Sequence, residues 1–68
     1  MIGKNLQKLR KKKGISQERL ARLADISLNT LTKIESGFAK KPTIQTVVKL
    51  SRALNISIDA LVGNTKDI

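Results

Sequence analysis

The sequence lacks the residues that usually cross-link small proteins. None of its 68 residues is cysteine, so the chain can form neither a disulfide nor a thiolate metal site. Histidine, the commonest zinc ligand, is absent as well. Small domains without such links depend on their hydrophobic core. We therefore expect no metal and no other cofactor, and a core built by aliphatic packing alone.

Aromatic and acidic residues are scarce. Phe38 is the only aromatic residue, and five Asp and Glu stand against fourteen Lys and Arg, which gives a formal net charge of +9. A basic balance of this size favours nucleic acid as the partner, with an anionic membrane surface as the competing interpretation. Membrane-surface helices and single-stranded RNA modules usually use several aromatic side chains, and one phenylalanine is too few for either.

Catalytic patterns and membrane segments are missing too. The sequence contains no glycine-rich phosphate loop, and its five carboxylates are scattered singly instead of being paired for acid-base chemistry. It has no apolar run of about 18 residues, and its basic start is not followed by the apolar core of a signal peptide. These features predict a cytoplasmic protein that is not an enzyme and has no membrane partner.

The residues that are present indicate five helices. Apolar residues recur at helical spacing, and Ser16, Ser27, Thr43 and Ser57 are suitable N-caps. Glycines follow several of the periodic segments and end them. The expected helices lie at about residues 2–13, 17–24, 28–36, 44–54 and 58–62. In the fourth helix we expect one face to hold Ile44, Val47, Val48, Ser51 and Leu54, with Leu50 at its margin.

The second and third helices predict a helix-turn-helix. Two helices of about eight residues joined by only three or four must cross steeply. Ala21 offers a small side chain at the crossing, and Leu31 and Ile34 point back into the same core. Asp25 lies where the turn needs a left-handed residue, a conformation that Asp enters at low cost. We expect one all-α domain over residues 1–63, followed by a frayed tail at 64–68.

The motifs resemble those of the phage repressor and Cro, or Xre, family. The resemblance covers roughly Ile2 to Gly63, nearly the whole chain. It is carried by the linked segments Ile15-Ser16-Gln17-Glu18-Arg19-Leu20-Ala21, Ile26-Ser27, Leu31-Thr32-Lys33-Ile34-Glu35-Ser36-Gly37, Lys41-Pro42-Thr43 and Leu50-Ser51-Arg52-Ala53-Leu54. It implies a compact five-helix lambda-repressor-like domain that binds double-stranded DNA, with the third helix in the major groove. The expected role is regulation of transcription as a repressor on a palindromic operator.

The family's DNA contacts can be transferred to matching positions of this chain. The resemblance implies base contacts from Leu28, Asn29, Thr32 and Lys33. Asn29 suits adenine, Lys33 suits guanine, and Leu28 or the Thr32 methyl suits thymine. The alternative for Asn29, Thr32 and Lys33 is an ordinary solvated surface. Leu28 can instead act as a hydrophobic staple against the core.

Phosphate contacts are expected on both sides of the recognition helix. Gln17 matches the family's phosphate-binding glutamine at the start of the second helix, and its alternative is an ordinary exposed glutamine. The remaining candidates are Ser27, Thr30, Ser36, Lys40 and Lys41, of which the two lysines belong to the loop after the third helix. Lys40, Lys41 and the cluster at residues 11–13 can also be no more than solvated charge.

Two further roles come from the same resemblance. Arg10 and Glu35 match a basic and acidic pair that ties the first helix to the third, although both can also stand unpaired at the surface. Phe38 departs from the polar residue often found at its position. This departure leaves DNA contact, dimer contact and packing all open for Phe38.

A homodimer is expected because one recognition helix reads too few base pairs for a unique site. The candidate contact is the aliphatic set near the C-terminus, Ile56, Ile58, Leu61 and Val62, which can alternatively close the core. A second function class keeps the fold: small proteins of this family also act as antitoxins or restriction-modification controllers that bind a protein partner.

Overall fold

The computed structural model describes residues 2–39 and 41–63, and these residues form five α-helices. The helices are α1 (Ile2–Lys12), α2 (Gln17–Ala24), α3 (Leu28–Glu35), α4 (Ile44–Leu54) and α5 (Ile58–Val62). The described residues contain no β-strand, and none of their helices has the length and apolar character that a membrane crossing needs. The all-α prediction is confirmed, with α1 and α3 each ending one residue earlier than expected. The predicted tail at 64–68 lies outside the described residues.

Short hydroxyl side chains begin four of the five helices. In each case the hydroxyl oxygen accepts a hydrogen bond from the backbone N–H three residues later, at 3.0 to 3.2 Å. This bond satisfies one of the amides that the first helical turn leaves without a partner. The predicted N-caps are thereby confirmed: Ser16, Ser27, Thr43 and Ser57.

The end of α2 turns the chain sharply toward α3. Asp25 adopts the left-handed conformation at φ 58° and ψ 46°, as predicted. The N–H of Ile26 donates to the Ala21 carbonyl at 3.0 Å, and that of Asp25 donates to the Arg22 carbonyl at 3.2 Å. This pair of bonds is a Schellman motif. It sets the short connection that lets α2 and α3 cross.

The core draws on all five helices. Seven large side chains are fully buried: Leu6, Leu20, Leu31, Ile34, Leu50, Leu54 and Leu61. The predicted core face of α4 is wrong at two residues, because Leu50 is buried and Ile44 is exposed. Ile44 is the first residue of α4, and its side chain is not among those packed against the core.

A glycine brings α1 close to the C-terminal end of α3. A Cβ atom added at Gly3 would lie 2.5 Å from the carbonyl oxygen of Ile34 and 3.2 Å from that of Glu35. Both neighbours are backbone atoms, which cannot rotate away as a side chain can. The two helices therefore keep this spacing only while residue 3 has no side chain.

Candidate nucleic-acid interface

The inner and outer faces of α3 differ sharply. Leu31 and Ile34 are fully buried, so the inner face is fixed against the rest of the domain. Asn29 and Lys33 are exposed on the outer face, where their side chains are open to solvent. Amide and ammonium groups at such positions can donate to base edges in a major groove. The helix therefore presents polar groups outward from a rigid support.

The threonine of the outer face already uses its hydroxyl hydrogen within the helix. Thr32 is half-buried, and its hydroxyl donates to the Asn29 carbonyl at 2.9 Å. That bond uses the only hydrogen the hydroxyl can donate. The methyl group stays available for the predicted contact with thymine, and the hydroxyl oxygen can still accept a hydrogen bond.

Leu28 lies at the start of α3 with 41% of its surface exposed. The staple position in front of the N-cap belongs to Ile26, which packs against the core cluster that contains Leu31. Leu28 does not belong to that set of packed side chains. Its exposure argues against the staple and leaves the side chain available for the predicted thymine contact, which stays a prediction.

The hydroxyl groups along α3 differ in what they can still donate. Ser27 Oγ donates to Thr30 Oγ1 at 2.8 Å and accepts from the Thr30 N–H, so its hydrogen is already used. Ser36 Oγ likewise donates to the Lys33 carbonyl at 3.1 Å. Thr30 Oγ1 accepts in its pair and keeps its own hydrogen. Among these predicted phosphate donors, Thr30 can donate without breaking a bond, whereas Ser27 and Ser36 cannot.

The structure brings Arg10 and Glu35 together beneath the end of α3. Arg10 Nε donates to Glu35 Oε2 at 2.8 Å and Arg10 Nη2 donates to Oε1 at 3.2 Å. The remaining guanidinium nitrogen, Nη1, donates to the Ile15 carbonyl at 2.8 Å. This two-pronged geometry suits Arg and not Lys. Through one side chain, α1 is linked to α3 and to the turn before α2.

Gln17 joins the same cluster. Its Nε2 donates to Glu35 Oε1 at 2.9 Å, so the first residue of α2 is linked to the last residue of α3. An amide nitrogen carries two hydrogens, and this bond uses one of them. The second hydrogen is the one that the predicted phosphate contact would use.

The sequence analysis did not predict a role in this cluster for two residues, Gln7 and Gly3. Gln7 Nε2 donates to the backbone carbonyl of Glu35 at 2.8 Å, and Gly3 allows the close approach of the helices. A glycine inside a helical pattern is a sequence signal for such packing. Gln7 gives no signal, because a glutamine on a polar helix face is usually solvated.

The segment after α3 carries the remaining predicted contacts. Lys41 is exposed, as a phosphate contact requires. Phe38 is also exposed, with Lys33 Nζ at 6.0 Å from the centroid of its ring. The candidate Lys40 lies outside the described residues. Lys11, Lys12 and Lys13 are exposed around the end of α1.

The residues of the predicted dimer contact differ in burial. Leu61 is fully buried in the core, so in the single chain it has no surface to offer a partner. Ile58 is 38% exposed, while Ile56 and Val62 are partly buried against the core. Core packing, which was the alternative for this set, accounts for Leu61. Ile58 is the main residue on which a dimer contact can depend.

A comparison against known families matches most of the chain. Residues 6–61 match the helix-turn-helix family. The chain belongs to this family. The match confirms the resemblance to the Xre, or phage repressor and Cro, proteins.

Two relatives and one solved structure show the range of this similarity. The HTH-type transcriptional regulator SinR of Bacillus licheniformis is 37% identical over 67 residues, which cover 98% of this chain and 60% of SinR. The antitoxin PezA of Streptococcus pneumoniae is 35% identical over 66 residues, covering 97% of this chain and 41% of PezA. The crystal structure of a transcriptional regulator from Listeria innocua superposes with a TM-score of 0.80 at 29% identity, over all of this chain and 63% of that one. The chain thus spans less than two thirds of each of these proteins.

Proposed function

We propose that the chain binds double-stranded DNA by inserting α3 into the major groove, and that it represses transcription as a two-fold dimer on a palindromic operator. The observation that carries this proposal is the two-sided character of α3. Its buried face is fixed by the core and by the Glu35 cluster, while Asn29 and Lys33 project outward. A rigid support of this kind holds donor groups in register with base edges.

The charge of the chain supports the same partner. A net charge of +9 attracts the phosphate backbone regardless of sequence. Thr30, Gln17 and Lys41 are the proposed phosphate contacts, because each keeps a hydrogen to donate. Base contacts from Leu28, Asn29, Thr32 and Lys33 would then supply the sequence preference. The proposal assigns the chain a binding role in the cytoplasm and no catalytic step.

Selection of binding sites from random duplexes tests this function directly. We expect the selected sequences to converge on an inverted repeat whose half-sites lie about one helical turn apart. A matched selection with the double variant Asn29→Ala and Lys33→Ala should lose the consensus while the protein still binds duplex DNA. Random sequences recovered with the unaltered protein would contradict the proposal.

A second candidate function is favoured by the similarity to the antitoxin PezA. In that case the same DNA-binding surface would belong to a protein that also binds and inhibits a partner. Restriction-modification controllers are the other class of small helix-turn-helix regulator to consider. Co-expression of this chain with the protein encoded by the adjacent gene tests this candidate. Rescue of growth from a toxic neighbour would favour it, and no effect on growth would leave repression as the function.

A further inference from the structure

Phe38 is the large apolar side chain with the greatest exposure among the described residues, at 79%. It is also the only aromatic residue of the chain. Single exposed apolar side chains are common, so exposure alone does not indicate a role. The position of the ring beside a residue of the outer face of α3 is a more specific observation.

The backbone that carries this ring is held by the cap of α3. Gly37 has a left-handed φ of 88°, and its N–H donates to the Ile34 carbonyl at 3.1 Å. The Ala39 N–H donates back to the Lys33 carbonyl at 2.9 Å, and the Phe38 N–H donates to Ser36 Oγ at 3.3 Å. Bonds on both sides of Phe38 therefore fix where its side chain leaves the backbone.

The ring lies next to the ammonium group of Lys33. Lys33 Nζ is 6.0 Å from the ring centroid, at the outer limit of a cation–π contact. Lys33 carries its charge on a flexible four-carbon stem, and its side chain is exposed. An attractive ring at this place reduces the number of positions that the ammonium visits. Both members of the pair depend on one cap, because the Lys33 carbonyl accepts from Ala39 and Ser36.

We propose that Phe38 is a positioning residue for DNA sequence readout, whose ring holds the Lys33 ammonium where it donates to one base pair. This inference rests on the proposed function of α3. Without the ring, the lysine could reach neighbouring phosphates as easily as the base edge, and its contact would carry less sequence information. The contribution of an exposed cation–π contact corresponds to about two- to fivefold in a binding constant.

The experiment measures discrimination between bases. The base pair that Lys33 reads is first identified as the position where the Lys33→Met protein no longer prefers one base pair over the others. Affinities are then measured for the selected duplex and for duplexes altered at that position. We expect Phe38→Leu, which keeps apolar bulk without an aromatic face, to lower discrimination at that base pair by about two- to fivefold. Phe38→Tyr should retain it, and Leu23→Ala, which alters another exposed apolar residue, should not affect it. In the Lys33→Met background, Phe38→Leu should change nothing further.

Each other outcome overturns the inference. If Phe38→Leu preserves discrimination, or if its effect persists in the Lys33→Met background, the ring does not act through Lys33. Equal loss of discrimination and of thermal stability in Phe38→Leu and Phe38→Tyr would assign the ring a structural role instead. A wild-type chain that prefers no sequence at all would refute the proposed function as well, and that result is known before any Phe38 variant is measured.

Discussion

Arg10 on α1 and Glu35 on α3 form an ion pair at 2.8 Å in which the Glu35 side chain is 1% exposed and the Arg10 side chain 12% exposed. Glu35 also accepts from Gln17, so the carboxylate has three donors and no unsatisfied oxygen. A buried charge is tolerated only when it is paired and hydrogen-bonded in this way. The pair therefore fixes the C-terminal end of α3 without placing a negative charge on the surface proposed to face DNA.

Breaking this pair from one side should be costly. Arg10→Met leaves the Glu35 carboxylate buried without its main partner, and we expect a loss of about 3–5 kcal/mol in the free energy of unfolding. Glu35→Leu removes the charge that needs pairing, so the double variant should lose less than the sum of the single changes. Urea denaturation of the four proteins measures this coupling. Strict additivity would show that the two side chains contribute independently.

Gly3→Ala should destabilise the domain although alanine is the better helix former. Alanine gains about 1 kcal/mol over glycine in an exposed helix. At residue 3, however, the new methyl group meets the Ile34 and Glu35 carbonyl oxygens, and relieving such overpacking costs about 1–3 kcal/mol. We expect a net loss in urea denaturation, with the exposed Lys8→Ala within about 0.5 kcal/mol of wild type as control. A stabilised Gly3→Ala protein would show that α1 moves away easily.

DNA affinity should depend steeply on salt concentration. With about 6–10 phosphate contacts in a dimer complex, raising salt from about 50 to 200 mM should weaken binding on the order of a thousandfold or more. Fluorescence anisotropy at several salt concentrations gives the slope. Lys41→Ala should reduce that slope by about one, or by about two in a symmetric dimer, because one phosphate contact per chain is lost. A flat response would exclude a mainly electrostatic interface.

Substitutions on α3 should separate specificity from affinity. Asn29→Ala and Lys33→Ala should each lose about 1–3 kcal/mol on the selected duplex and little on random DNA, because base contacts are lost. Lys41→Ala is the matched control, because the loss of a phosphate contact weakens both kinds of complex alike. Competition binding against both duplexes provides the comparison. If all three variants weakened both complexes in parallel, the outer face of α3 would not be the reading surface.

Local chemistry explains which parts of the fold could be predicted. The helix starts depend on Ser16, Ser27, Thr43 and Ser57, whose hydroxyl groups act on amides three residues away. The left-handed turn at Asp25 is equally local. The sequence analysis failed where burial depends on tertiary packing. Leu50 is buried and Ile44 exposed because of how α4 lies on the core, and this placement cannot be derived from one helix alone.

The candidate site shows the same division. The outward position of Asn29 and Lys33 follows from helical periodicity, whereas the resemblance to a family was needed to pair Arg10 with Glu35. The hydroxyl groups of Ser27 and Ser36 bond within the chain, and these bonds depend on rotamers that a sequence does not reveal. The hydrogen bond from Gln7 to Glu35 spans 28 residues and joins two helices, so no local pattern predicts it.

The last prediction concerns the dimer and Ile58, the most exposed residue of the candidate contact. One recognition helix reads only a few base pairs, so a specific site requires two copies on an inverted repeat. Ile58 is 38% exposed at the start of α5, whereas Leu61 is buried and its substitution would disturb the core. We therefore expect Ile58→Asn to weaken binding to the palindrome and leave binding to a single half-site unchanged, since the variant adds no charge that could repel DNA.

Ile58→Val should behave as wild type on both duplexes. Sedimentation of the complexes gives the stoichiometry, with two chains expected on the palindrome. A single chain bound to the palindrome, or equal losses on both duplexes for Ile58→Asn, would remove α5 from the dimer contact.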